Sequence, residues 1–235
     1  MRRRGIFITL DGMDGSGKST QARLLGEFLR ARGYRVVTTR EPGGTPLGEA
    51  IRRVLLGRGA PRASALAELA LMYAARAQHI EEVVRPALER GQAVVSDRYH
   101  DASMAYQGYG RGLGAATVRA FDRIVCRDWQ PDLTLILDLE PEESLRRVRG
   151  RKQRRSRFEA AGLPFLKRVR AGYRAIARRE PKRVILVRAG RSVAEVQRDI
   201  RAHVERSLRE GRRRRAPRRR KPVPSATVTL PMGAF

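Results

Sequence analysis

The chain has 235 residues, 41% of them hydrophobic, with 51 Lys and Arg against 24 Asp and Glu and a formal net charge of +27. This length is enough for one α/β domain with a buried core. No apolar run approaches the roughly 18 residues of a membrane span, and the run at 6–10 is shorter than the roughly 7–15 residues of a signal-peptide core. We therefore expect neither a membrane protein nor an exported one. The single cysteine, Cys126, cannot form an internal disulfide, which fits a cytoplasmic protein.

Apolar runs alternate with helical spacing along the chain. In chain order they predict a strand at 6–10, helix 18–31, strand 35–39, helices 47–56 and 65–89 (the second kinked at Pro86), strand 93–96, helix 117–126, strand 133–139, a helix from Pro141, helix 163–178, strand 184–187 and helix 193–208. This alternation with nearly continuous apolar strands predicts an α/β fold of three layers, in which helices flank a five-stranded parallel sheet.

Arginine dominates the end of the chain. Eight basic residues cluster at 212–215 and 218–221. Because like charges this dense repel one another, we predict one domain over residues 1–210 and a disordered basic tail over 211–235. Such a tail is expected to bind polyanions without sequence preference.

A glycine-rich segment separates the first predicted strand from the first helix. Residues 12–19, GMDGSGKS, fit the pattern G-x-x-x-x-G-K-[ST] of a phosphate-binding loop. Glycines let the backbone N–H groups point at phosphate oxygens, the lysine reaches the β- and γ-phosphates, and the last hydroxyl holds Mg²⁺. The predicted ATP-binding residues are Gly12, Met13, Asp14, Gly15, Ser16, Gly17, Lys18, Ser19 and Thr20.

An acidic residue, Asp97, follows the third predicted strand. P-loop enzymes place a carboxylate at this point for Mg²⁺ or its water ligands. Ser19 and Asp97 are therefore the predicted metal ligands. Together with the phosphate loop, Asp97 predicts a P-loop NTPase fold that uses ATP and Mg²⁺.

The sequence resembles the thymidylate kinase family over nearly all of residues 5–208. Seven segments carry the resemblance, in the same order and with similar spacing. They are 11–20 (DGMDGSGKST), 40–45 (REPGGT), 76–79 (RAQH), 96–99 (SDRY), 105–108 (AYQG), 131–134 (PDLT) and 157–159 (RFE). The resemblance implies transfer of the γ-phosphoryl group of ATP to dTMP, within dTTP biosynthesis, by a homodimer.

The resemblance also implies the residues of the acceptor site. Arg40 is expected to grip the acceptor phosphate, Tyr73 to stack on thymine and Arg76 to contact the base. Tyr106 and Gln107 are expected to crowd the 2′ position of the sugar and to bond the base.

Charged residues are also expected to serve the reacting groups. By the same resemblance, Asp14 lies near the acceptor sugar and phosphate, and Asp97 and Arg98 serve Mg²⁺ and the transferring phosphate. The chemistry itself also calls for cations, because two phosphate groups must approach each other, and Lys18, Arg40 and Arg98 supply this positive charge together with Mg²⁺.

The basic segment 149–157, RGRKQRRSR, is predicted to form a mobile lid. In related kinases a segment at this point closes over ATP and delivers positive charge. Gly15 leaves the phosphate loop without an arginine of its own, so the resemblance implies a catalytic arginine from the lid. Arg149 and Arg157 align best with that role.

Two alternative functions remain open. One is a kinase for another nucleoside monophosphate, with a tail that binds nucleic acid; the aromatic residue at 73 and the pair at 106–107 favour a pyrimidine deoxynucleotide instead. The other is a nucleic-acid-binding ATPase, which the charge suggests but which does not explain the acceptor-site residues.

Overall fold

The computed structural model of the chain describes residues 4–57, 62–150 and 162–215, with side chains as far as residue 210. Within these residues the strands are β1 (Phe7–Gly12), β2 (Val36–Arg40), β3 (Ala93–Asp97), β4 (Leu133–Asp138) and β5 (Val184–Arg188). All neighbouring strands are parallel, in the order β2-β3-β1-β4-β5. The predicted five-stranded parallel sheet is confirmed, with each strand placed to within two residues at either end.

Helices cover both faces of the sheet. They are α1 (Lys18–Ala31), α2 (Pro46–Leu56), α3 (Ala65–His79), α4 (Arg85–Glu89), α5 (His100–Ser103), α6 (Gly114–Val125), α7 (Pro141–Arg149), α8 (Gly162–Arg179) and α9 (Val193–Arg215). Apolar residues of α1 and α9 pack with Ile8 and Leu10 on one face. On the other face, α3 and α6 pack with Phe7, and α8 packs with Ile136. This arrangement is the predicted three-layer fold.

In two regions before the final helix, the helical segments differ in type or number from the prediction. The region expected as one helix over 65–89 is α3, a π-helical segment Ile80–Val84, and α4. Pro86 has no N–H to donate to the preceding turn, and the widened turn lies just before it. A further helix, α5 followed by the π-helical segment Met104–Gly110, was not predicted, because Gly108 and Gly110 are poor helix formers.

The final helix is longer than predicted. It continues to Arg215, so residues 211–215, expected to be disordered, are helical, as the good helix propensity of arginine allows. The rest of the predicted tail, 216–235, and most of the predicted lid, 151–161, lie outside the described residues. Among the residues that are described, no helix combines the length and apolar character needed to cross a bilayer.

Candidate active site

The phosphate loop connects the carboxyl end of β1 with the first turn of α1. Gly12, Gly15 and Gly17 all have positive φ angles, 133°, 81° and 93°, which glycine adopts without steric cost. At Gly15 the neighbouring helix is also close: a Cβ atom there would lie 3.0 Å from the carbonyl oxygen of Ser144 and 3.2 Å from Cβ of Arg147. The loop therefore needs glycine at 15 both for its conformation and for the approach of α7.

Lys18 lies inside the loop. Its Nζ donates to the carbonyl oxygen of Met13 at 2.9 Å and lies 3.7 Å from Oδ1 of Asp14. Burial and the charge of Arg98 lower the pKa of Lys18, while Asp14 opposes the shift. The ammonium is thus held in a dry position where a polyphosphate would be its natural counter-charge.

Ser19 and Asp97 meet beside the loop. The Ser19 hydroxyl, on the first turn of α1, donates to Oδ2 of Asp97 at the end of β3. Hydroxyl and carboxylate oxygens suit Mg²⁺, which is usually bound by one or two protein groups together with substrate phosphates. Within the described residues no group of three or more His, Cys, Asp or Glu side chains could hold a metal alone. The pair therefore fits Mg²⁺ shared with a nucleotide, and the bound ion would neutralise phosphate charge.

Arg98 joins the phosphate loop to the rest of the site. Its backbone has a φ of 75°, unusual for a residue with a side chain, and turns the guanidinium towards the loop. Nη1 donates to the carbonyl oxygen of Gly12 at 2.9 Å, and Nη2 donates to Oδ1 of Asp14 at 2.6 Å. Burial would lower the pKa of Arg98, but Tyr106 and Asp14 raise it well above its ordinary value. The side chain is a fixed positive charge.

A cavity of about 640 Å³ opens beside these groups. Most of the side chains predicted for the two substrates line it. They are Asp14, Lys18, Ser19, Thr20, Arg40, Arg76, Asp97, Arg98, Tyr106 and Gln107, together with Gly15 and Gly17 of the loop. One continuous space therefore connects the predicted donor and acceptor sites.

Tyr73 does not line this cavity. Its ring is buried against Phe121, with centroids 5.1 Å apart, and its hydroxyl donates to Oδ1 of Asp122 at 2.6 Å. The side chain that lines the cavity is Met72, because successive residues of an α-helix point about 100° apart. The predicted stacking of Tyr73 on the base is therefore corrected: the structure places Tyr73 in the core and Met72 at the cavity wall.

Arg76 is buried at the cavity wall and held on several sides. Nε donates to Oε2 of Glu41 at 2.8 Å, and Nη2 donates to the Tyr99 carbonyl and the Ser103 hydroxyl, both at 3.1 Å. The buried Nη1 has no hydrogen-bond partner among the residues the structure describes. This N–H group is available to a ligand.

Glu41 is a site residue whose role the sequence did not predict. Its second oxygen, Oε1, lies 2.8 Å from Nδ1 of His79, whose Nε2 lies 2.7 Å from the Thr39 hydroxyl. Burial raises the pKa of Glu41, but the charge of Arg76 and the contact with His79 outweigh burial and leave the pKa below its ordinary value. Glu41 therefore fixes Arg76 as an ionised partner.

Arginines from two elements reach the outer part of the cavity. Arg40, at the end of β2, pairs with Glu49 at 3.0 Å and stays exposed. Arg52 of α2 also lines the cavity and donates to the Pro42 carbonyl at 2.8 Å. Arg52 was not predicted from the sequence, because two adjacent arginines are typical of the polar face of a helix.

Of the two predicted lid arginines, the structure describes Arg149, which does not line the cavity. Arg149 is the exposed last residue of α7. Arg157 lies outside the described residues. Their catalytic role stays a prediction.

The family model named Thymidylate kinase matches residues 10–200. The chain belongs to the thymidylate kinase family. Curated members include the thymidylate kinase of Teredinibacter turnerae, 47% identical over 86% of this chain and 98% of its own length, and that of Pseudomonas syringae pv. syringae, 50% identical over 82% and 91%. Among solved members, the crystal structure of thymidylate kinase from Ehrlichia chaffeensis matches with a TM-score of 0.70 and 33% identity, over 86% of this chain and 99% of that one.

Proposed function

We propose that the protein is a dTMP kinase, which transfers the γ-phosphoryl group of ATP to dTMP and forms ADP and dTDP in the cytoplasm. Family membership supports this activity. The observation that carries it in this chain is the single cavity shared by Lys18 of the phosphate loop and by Arg40, Arg76 and Arg98.

The reaction needs positive charge rather than a strong base. An oxygen of the dTMP phosphate, already an oxyanion, bonds to the γ-phosphorus while the bond to the bridging oxygen breaks, and that electron pair leaves on ADP. Lys18 and Arg98 are oriented by Asp14 and by loop carbonyls, so they stabilise developing charge without reorganising. Arg40 at the cavity edge suits the acceptor phosphate, since a guanidinium binds phosphate through two N–H groups.

The acceptor pocket combines apolar and polar groups. Met72 offers an apolar surface to a base, and Tyr106, whose hydroxyl accepts a hydrogen bond from Arg98 at 3.2 Å, fits a position beside the sugar. Arg76 and Gln107 offer hydrogen bonds to the base edge. This combination supports a pyrimidine deoxynucleotide over the alternative acceptors.

A coupled assay of ADP formation tests the proposal directly. With ATP and Mg²⁺, dTMP should give the highest kcat/KM in a panel that includes dUMP, dCMP, AMP and GMP. Lys18→Ala should lower kcat by roughly a hundredfold or more, because one oriented charge on the transferring group is worth about 3–4 kcal/mol, and circular dichroism should show an intact fold. Faster turnover of AMP or GMP than of dTMP would refute the acceptor assignment.

The protein is further proposed to be a homodimer. Leu66 of α3 and Ile124 of α6 are 53% and 69% exposed, on two helices that contact each other. A second copy would cover this apolar face. Light scattering should give a dimer for the native chain and a monomer for Ile124→Glu; a native monomer would contradict the proposal.

The basic tail and the lid carry two separate proposals from the sequence. A chain ending at Glu210 should keep kinase activity and lose most of the full chain's retention on heparin. When the full chain binds nucleic acid, the logarithm of its binding constant should fall with the logarithm of the salt concentration, with a slope of about −0.7 to −0.9 per phosphate neutralised. Equal heparin retention by the two chains would argue against tail binding.

Single alanine substitutions at the arginines of 149–157 should identify one arginine, with Arg149 and Arg157 the first to be tested, whose loss lowers kcat with little change in the KM for dTMP. Near-native kcat in every variant would leave Lys18 and Arg98 as the catalytic cations.

A further inference from the structure

A buried acidic residue, Glu68, lies behind the acceptor pocket. It belongs to α3 and is 0% exposed. Its Oε1 accepts a hydrogen bond from Nε2 of Gln107 at 2.7 Å, and its Oε2 pairs with Nη2 of Arg111 at 3.1 Å. Glutamate is almost never fully buried without partners, and neither Glu68 nor Arg111 lines the cavity. Glu68 is therefore one side chain removed from the cavity, through Gln107.

Glu68 determines which end of the Gln107 amide faces the ligand. A carboxylate only accepts hydrogen bonds, whereas an amide has an NH₂ end that donates and an oxygen that accepts. The NH₂ end of Gln107 must therefore face Glu68. Gln107 lines the cavity, and its Oε1 accepts no hydrogen bond from the residues that the structure describes. This oxygen is left as an acceptor for a ligand.

A donor lies beside this acceptor. Ser103, one turn before Gln107, accepts a hydrogen bond from Nη2 of Arg76 at 3.1 Å, and the other terminal nitrogen of Arg76, Nη1, has no partner in the described part of the chain. The pocket wall thus presents a donor from Arg76 and an acceptor from Gln107. Thymine and uracil match this pair, because their C4 carbonyl accepts and their N3–H donates. Cytosine has the reverse pattern, with a 4-amino donor and an N3 acceptor.

We propose that Glu68 is a positioning residue that sets base selectivity: by holding the Gln107 amide in one orientation, it admits bases with an N3–H and C4=O edge and rejects cytosine. This inference rests on the proposed kinase function and adds a determinant that does not touch the substrate. This determinant does not discriminate between dTMP and dUMP, because their bases share this edge.

The test compares two substitutions that differ in one property. In Glu68→Gln the new amide can donate or accept, so Gln107 can rotate and present its NH₂ end to cytosine. The ratio of kcat/KM for dTMP to that for dCMP should fall by roughly ten- to a hundredfold, mainly through a lower KM for dCMP. In Glu68→Asp the group still only accepts, so the ratio should stay within about threefold of the native value even if both KM values rise.

Two controls separate selectivity from general disturbance. Glu82 also accepts a hydrogen bond from a glutamine, Gln78, but on the surface of the helix, so Glu82→Gln should leave the ratio unchanged. The ratio of dUMP to dTMP should be the same in the native protein and in Glu68→Gln. A native protein that does not phosphorylate dTMP would refute the proposed function. If the native protein phosphorylates dTMP and the folded Glu68→Gln variant has an unchanged ratio of kcat/KM for dTMP to that for dCMP, the inference about Glu68 is overturned and the proposed function still holds.

A measurement on the native protein covers the case in which Glu68→Gln fails to fold. The side-chain amide of Gln107 can be assigned in ¹⁵N spectra by its loss in Gln107→Leu. One of its two N–H protons should be protected from solvent exchange both in the free enzyme and in the complex with dTMP, because it stays bonded to Glu68. Rapid exchange of both protons in the dTMP complex would overturn the proposal.

Discussion

The ion pair of Glu41 with Arg76 offers a sharp test of how the acceptor pocket is held. We expect Glu41→Gln to keep the shape of the side chain but leave the Arg76 guanidinium, 2% exposed, without its charged partner. Breaking one side of a buried ion pair costs about 3–5 kcal/mol. A change of 1 kcal/mol shifts the melting temperature by about 2–4 °C in a chain of this size, so the melting temperature should fall by roughly 6–20 °C.

A matched control lies on α1. Arg23 and Glu27 form the same kind of pair at 2.6 Å, with both side chains more than half exposed. Exposed pairs contribute about 0–1 kcal/mol, so Glu27→Gln should shift the melting temperature by only a few degrees at most. Differential scanning calorimetry of both variants beside the native protein measures the difference.

Substrate binding and pH provide independent readouts of the same pair. Glu41→Gln should raise the KM for dTMP more than that for ATP, because Arg76, which lines the cavity, is proposed to contact the base of dTMP. Since the folded pKa of Glu41 lies below its unfolded value, its contribution to stability is present above the unfolded pKa and is lost as the pH falls through the folded pKa. The native protein should therefore lose this contribution in acid, and the variant should not. Equal melting temperatures for Glu41→Gln and Glu27→Gln at neutral pH would refute the reasoning.

Three further predictions concern neighbouring residues. Met72→Ala should raise the KM for dTMP. Tyr73→Phe should leave that KM unchanged and cost about 1 kcal/mol of stability through its lost hydrogen bond. The reverse pattern in steady-state kinetics would indicate that Tyr73, and not Met72, contacts the base. Asp97→Asn should raise the Mg²⁺ concentration that gives the half-maximal rate by roughly tenfold or more, because the metal site loses one unit of ligand charge. An unchanged Mg²⁺ titration would show that Asp97 does not bind the metal. Burial raises the pKa of Asp11 from 3.8 to about 7, so its ionisation costs stability as the pH rises between these two values. The melting temperature of Asp11→Asn should therefore rise relative to that of the native protein between about pH 4 and pH 7, and parallel pH profiles would contradict this.

The sequence predicted the fold well because buried parallel strands are short apolar runs and each is followed by a helix of regular period. It failed where helical geometry is irregular. The segment Met104–Gly110, rich in glycine and tyrosine, has no helical signal of its own, and it is packed in place by α8 and α6. This segment carries Tyr106 and Gln107, so the motif was visible in the sequence while its conformation was not.

Site residues could be predicted where a sequence motif implies a chemical role, as at Lys18 and Asp97. It was harder to predict which residue of a helix faces the cavity. Met72 and Tyr73 are adjacent, both are plausible against a base, and only the packing of α3 decides which one meets the cavity. Glu41 and Glu68 act through other side chains, and nothing in a single sequence marks a carboxylate that will be buried beside an arginine or a glutamine.

The carboxylate of Asp14 has a consequence for how the two halves of the site respond to each other. Its Oδ1 lies 2.6 Å from Nη2 of Arg98 and 3.7 Å from Nζ of Lys18, so one anion is shared by the two cations. A phosphate that draws either cation away alters the balance felt by the other. Linkage then requires reciprocity: whatever factor one nucleotide applies to the dissociation constant of the second, the second applies to the first. Couplings of this kind typically amount to about 1–3 kcal/mol, so the affinity of each substrate is defined only together with the concentration of its partner.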